Sequence, residues 1–196
     1  MSTDDLSDNE NFLELQATGV DPSLFQAELT WNIASDEWPF EKGFEKKFNL
    51  ALGVLQRFIC EGHKDFPALK TTENSLESLF LHISLCDDEQ MIELNRTHRN
   101  KDKTTDVLSF PLYDELRSGK EMIFSELEFG DIIISLPVMK KQAVEFNVSP
   151  EGEFFHLVTH GFLHLCGYDH ELSEKEEELM EYHEQRIIKE IYDLIY

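Results

Sequence analysis

The stretch His160-Gly161-Phe162-Leu163-His164-Leu165-Cys166-Gly167-Tyr168-Asp169-His170 constrains this chain more than any other part of it. From Pro150 to Cys166 the apolar residues recur with a helical period, and Gly167 suits the left-handed residue that ends such a helix. His160 and His164, four apart, project from one face one turn apart. His170 follows the glycine closely enough to swing back toward the same point. The fold must therefore bury one side of this helix and leave the histidine side open. Three neutral imidazoles converging in this way suit a single borderline divalent metal per chain, Zn²⁺ by default, with a coordination position left open. Nickel or copper would fit the same donors. An open position marks a catalytic rather than a structural ion, because bound water there ionises near pH 7.

Four of the eight histidines lie within His156–His170. His156 shares the helix face but would reach the metal only if the helix bent, so its expected role is support or core packing. The H-x₃-H-x₂-G-x₂-H spacing is shared with metzincin peptidases, which place a glutamate after the first histidine as general base. Here that position is Gly161. A peptidase lacking this base loses the group that moves the proton from water to the leaving amine. Phosphodiester cleavage tolerates the loss better, since a metal and an arginine carry much of the charge stabilisation.

Four of the 17 basic residues, Arg96, Arg99, Lys101 and Lys103, fall in one short stretch of a chain whose formal charge is −23. That overall charge argues against nonspecific grip on nucleic acid or an anionic membrane, and no DNA partner is expected. A local basic island can still bind phosphate, because screening cuts off distant charge beyond roughly 8 Å at physiological salt. Arg96, Lys101 and Lys103 are either phosphate contacts or parts of a solvated loop. No run of about 18 apolar residues marks a membrane span, and the first residues lack the features of a signal peptide, so a cytoplasmic location is expected. Cys60, Cys86 and Cys166 are too few and too scattered for a disulfide framework.

Along the chain, residues 1–40 hold nine acids and no Lys or Arg. Residues 1–25 read as an acidic, disordered extension and 26–196 as one domain. Strands are predicted at Glu28–Ala34, Ser78–Cys86, Asp106–Phe110 and Asp131–Leu136, where apolar residues alternate or run together. Helices are predicted from Phe44 to Gly62, from Asp87 or Asp88 to Thr97, from Pro137 to Phe146, and from Pro150 to Cys166. A fifth opens at the capping box Ser173-Glu174-Lys175-Glu176, with Leu179, Tyr182, Ile187 and Ile191 facing inward. The expected class is a single-domain α+β fold, a small mixed sheet packed with about five helices.

The helix-loop histidines, Asn95-x-x-x-Arg99, Thr105-Asp106-Val107-Leu108-Ser109-Phe110-Pro111 and Gly130-Asp131-Ile132 together resemble the YbeY family of bacterial metal-dependent endoribonucleases. The resemblance is close over residues 95–171 and looser over 45–190. It implies an α+β fold with a small sheet, one metal held by His160, His164 and His170, and action on single-stranded RNA. It also implies rRNA and ribosomal components as partners, with a setting in 16S rRNA 3′-end maturation and ribosome quality control. The family's arginine maps onto Arg99, which would pair with the phosphate. Asp169 would hold a histidine or the loop amides in place, or is simply a turn residue. Either water or the RNA's own 2′-OH could attack. A metallopeptidase and a noncatalytic ribosome-assembly factor with a structural metal are the competing readings.

Overall fold

Leu79, Leu81, Ile83 and Leu85 alternate with polar neighbours in Ser78–Cys86, and a strand with that pattern buries one face. All four are at most 2% exposed. The computed structural model describes residues 11–17, 25–31, 40–61, 66, 78–113, 116–117 and 126–196. Its elements are β1 (Asn11–Gln16), β2 (Phe25–Trp31), α1 (Phe44–Glu61), β3 (Ser78–Cys86), α2 (Asp88–Arg99) and β4 (Val107–Pro111). They continue with β5 (Glu126–Ser135), α3 (Leu136–Glu145), α4 (Pro150–Leu165) and α5 (Glu174–Ile195). The sheet order is β1-β2-β3-β5-β4. The two edge pairings are antiparallel, whereas β2–β3 and β3–β5 are parallel. Among the described residues this is the expected mixed sheet with five helices.

Helices α1, α4 and α5 share the main core on one sheet face, with Ile132 and Ile134 of β5. Ile133 points the other way and joins the smaller cluster of Cys86, Met91 and Leu108 under α2. The main core is aromatic: Phe48 and Phe154 meet edge-on at 5.2 Å, and Phe129 and Phe162 at 5.3 Å. Burial of such rings supplies much of the stabilisation, at roughly 25 cal/mol per Å² of apolar surface.

Three expectations need correction. Asn11–Gln16, placed in the disordered extension, is strand β1, and its Leu15 is 1% exposed; the domain therefore reaches at least to Asn11. Six residues offer too few alternations to declare themselves against the acidic background. Residues 1–10 and 18–24, the rest of that extension, lie outside the described residues. The following strand sits three residues earlier than predicted, because its alternating Phe25, Ala27 and Leu29 are the buried set. In α5, Tyr182 is 59% exposed, and His183 takes the inward place beside Phe58 and Tyr168.

The polar face of the sheet carries a row of charge. Glu14 stands opposite Glu28, and Glu28 opposite His82. His82 Nε2 lies 3.1 Å from Glu128 Oε1.

Candidate metal centre

Helix α4 begins with Ser149 accepting the Gly152 amide and Pro150 at its first turn, then runs through the core. It lies against β4 and β5 at Gly161. A Cβ there would come within 2.9 Å of Ile132 Cγ2 and 3.0 Å of Ser109 Oγ. The missing side chain thus sets the depth of the helix, and a glutamate at this position has no room. The helix ends in a Schellman motif: Gly167, at φ +88°, donates to His164 O, and Tyr168 donates to Leu163 O. That turn reverses the chain. Asp169 Oδ1 accepts the Glu171 amide at 2.8 Å and closes the loop that carries His170.

The result brings His160, His164 and His170 together, with one ligand atom from each inside a 4.8 Å group. His160 Nδ1 is 2.8 Å from Glu184 Oε1, and His164 Nδ1 is 3.0 Å from the carbonyl of Tyr168. Both partners are acceptors, so both Nδ1 atoms carry the proton and both Nε2 atoms present lone pairs. Those Nε2 atoms face each other at 3.1 Å. Two lone pairs at that distance repel unless a cation lies between them. The separation is close to the edge of about 3.3 Å that Zn–N bonds of 2.0–2.1 Å give a tetrahedron. The residues fit a metal.

Burial, with the neighbouring His160 and His170, pushes the His164 imidazole down to about 4, so it is neutral and ready to ligate at pH 7. Thiolate ligands are not on offer. Burial holds the Cys166 thiol well above its ordinary range and, with Asp87 and Asp88 adding to it, pushes Cys86 up to about 12. An all-imidazole set selects a borderline divalent ion.

Glu184 on α5 is the residue that sequence reasoning missed. Its burial favours the neutral acid, but hydrogen bonds to His156 and His160 outweigh that and hold it at about 2. His156 stays outside the three-histidine group, 43% exposed, with Nδ1 3.7 Å from Glu153 and Nε2 3.6 Å from Glu184. Those two carboxylates raise its pKa.

Beside the imidazoles opens a cavity of about 210 Å³ whose wall includes Arg99, Lys101 and Lys103, with Glu171 also lining it. Arg99 is the last residue of α2, and Asn100 ends the helix in the left-handed conformation. Buried Asn95 donates to Lys103 O at 2.7 Å and pins the basic loop. Asp106 anchors its other end, accepting from Thr105, Val107 and Gln142. Burial opposes its charge, yet these bonds keep its carboxyl below the usual range. Among the described residues no carboxylate pairs with Arg99, Lys101 or Lys103. Arg96 differs: Glu93 and Asp102 hold its guanidinium at 2.5 and 2.7 Å, and it does not line the cavity. A second cavity of about 290 Å³ adjoins the first and shares Arg99, Ser109 and His164 with it.

Three converging imidazoles beside unpaired cations support a hydrolytic, metal-dependent enzymatic role. A family model described as endoribonuclease YbeY matches residues 61–192, and the chain belongs to that family. It is 43% identical over 119 residues to the endoribonuclease YbeY of Leptospira interrogans, covering 56% of this chain and 84% of that one. It is 38% identical over 159 residues to that of Zymomonas mobilis, covering 80% and 85%. A solution structure from Thermotoga maritima is similar at a TM-score of 0.49 and 24% identity, over 83% of this chain and 89% of the other. Among the described residues no helix is long and apolar enough to cross a membrane.

Proposed function

We propose that this protein is a single-strand-specific, metal-dependent endoribonuclease whose substrate is rRNA, acting in the cytoplasm with ribosomal components as partners. Maturation of the 16S rRNA 3′ end and ribosome quality control are its proposed setting. The observation that carries the reading is the exposed guanidinium of Arg99, unpaired among the described residues, on the wall of the three-histidine cavity. His160, His164 and His170 would hold one Zn²⁺, which when bound supplies Lewis acidity toward a phosphoryl oxygen or an ionised water. Arg99, catalytic in this reading, pairs its planar fork with the scissile phosphate and stabilises the charge that builds in the pentacovalent state. Lys101 and Lys103 hold the adjoining backbone phosphates. Glu184 fixes the His160 ring, and Asp169 fixes the loop of His170. Gly161, with no space for a carboxylate, supports phosphodiester over peptide chemistry.

The test is Arg99→Ala. Metal content and melting should stay nearly unchanged, because among the described residues no ion pair is broken. Cleavage of single-stranded RNA should fall about a hundredfold or more, on the order of 3 kcal/mol of transition-state stabilisation. Arg99→Lys should recover only part, since a point charge does not replace a bidentate fork. Wild-type cleavage rates in a folded, metal-replete Arg99→Ala protein would refute the role.

A further inference from the structure

The two cavities form one cleft with chemically different lobes. Their common wall is Arg99, Ser109 and His164. Strand β4 runs beneath both, and alternation places Ser109 and Pro111 on the same side, about 7 Å apart. Lys101 and Lys103 lie only in the first lobe. The second has no cation beyond the shared Arg99, and carries the Asp169 carboxylate instead. Asp169 Oδ1 is engaged by the Glu171 amide, whereas Oδ2 makes no hydrogen bond among the described residues.

The other walls of the second lobe are apolar or aromatic: Pro111, Tyr113, Tyr168 and Leu172. Tyr168 is 1% exposed, its ring packed among Phe58, Phe66 and His183 with Arg117 over its face, so the accessible apolar wall is Pro111, Tyr113 and Leu172, the last 71% exposed. An exposed leucine alone is ordinary, but this one shares a concave wall with a proline and Tyr113. At about 290 Å³ the lobe lies at the lower end of small-molecule pockets. A phosphate would be repelled by Asp169, and the nearby Arg117, over Tyr168, is already paired with Glu176. A flat, neutral group with N–H donors is complementary to it.

We propose that the second lobe is a nucleoside subsite, taking the base of the nucleotide next to the scissile phosphate between Tyr113 and Leu172. Resting on the ribonuclease reading, it divides the cleft by chemistry: backbone phosphates toward Lys101 and Lys103, a base toward Tyr113. Asp169 Oδ2 accepts an N–H of that base. Stacking on side chains is sequence-tolerant, so the subsite demands a base without dictating which one.

The experiment scans one abasic ribose through a short single-stranded RNA with a mapped cut. Cleavage is measured with the metal-replete protein, and binding by fluorescence anisotropy with the metal-free protein. For the wild type, one position flanking the cut should lose about tenfold or more in both kcat/KM and affinity, with little effect elsewhere. Tyr113→Ala and Leu172→Asp should show a similar loss on intact RNA and no further loss on the abasic RNA. Leu172 is exposed, so its variant stays interpretable should Tyr113→Ala fold poorly. Equal binding and cleavage of all abasic RNAs by the wild type would overturn the subsite, as would a full abasic penalty in Leu172→Asp. Absence of any wild-type cleavage would instead overturn the ribonuclease reading, while the binding arm would still decide the subsite.

Discussion

Glu184 offers the sharpest perturbation of the metal centre that leaves every proposed ligand in place. Its Oε1 lies 2.8 Å from His160 Nδ1, and its side chain is 19% exposed. The carboxylate fixes the tautomer, leaving Nε2 free to ligate, and raises the basicity of the ring. Glu184→Gln keeps an oxygen that can accept the Nδ1 proton but removes the charge, which roughly halves the strength of such a bond. The loss in metal affinity should be about fivefold. Glu184→Ala leaves the Nδ1 proton without its acceptor and the ring free to turn; removing such outer partners typically costs 10–100-fold, or about 1.4–2.7 kcal/mol. Competition for Zn²⁺ against a chromophoric chelator measures both values. Melting of the metal-free variants separates a local effect from a general loss of fold. Wild-type affinity in a folded Glu184→Ala protein would refute the reasoning, and with it the view that the carboxylate organises the site.

Other outcomes follow from the same geometry. His164→Ala should abolish stoichiometric metal in elemental analysis, whereas His156→Ala, outside the three-ligand group, should retain it. In the metal-free protein the His164 pKa is about 4 against an ordinary 6.5, so the unfolded chain binds the extra proton between those values. Stability from this group is complete above pH 6.5 and is lost as pH falls toward 4, on the order of 2–3 kcal/mol in denaturant titrations. A flat profile across that window would refute the assignment. Deleting residues 1–10 should leave melting unchanged. Deleting 1–17 removes the fully buried Leu15 of β1 and should cost at least about 2 kcal/mol, several degrees in Tm.

The three histidines were legible because one local device positions them: a helical turn, then a glycine stop, contiguous in the chain. Glu184 was not legible, since it lies 24 residues beyond His160 on a helix crowded with glutamates, and only the packing of α5 on α4 singles it out. Arg96 and Arg99 look alike in sequence, three apart on one helix. Glu93 and the loop residue Asp102 decide between them by capturing the first. The bounds of β3, where alternation is strong, were legible in full, and those of β4 to within a residue. The shift of β2 moved only its bounds, since Leu29 faces inward in both readings, whereas the exchange of Tyr182 for His183 is a change of phase. A period fixes which residues share a face, but the phase is chosen by the surface against which the element packs.

Glu14 opposite Glu28 gives the sheet a seam on which like charges meet, and its far edge borders the cleft. Dissolved salt therefore acts on the two edges with opposite sign. Counterions that loosen any polyanion held at the β4 side also relieve the repulsion across the β1–β2 seam. On the ribonuclease reading, added salt would weaken the hold on RNA while easing the one Glu14–Glu28 repulsion in the sheet.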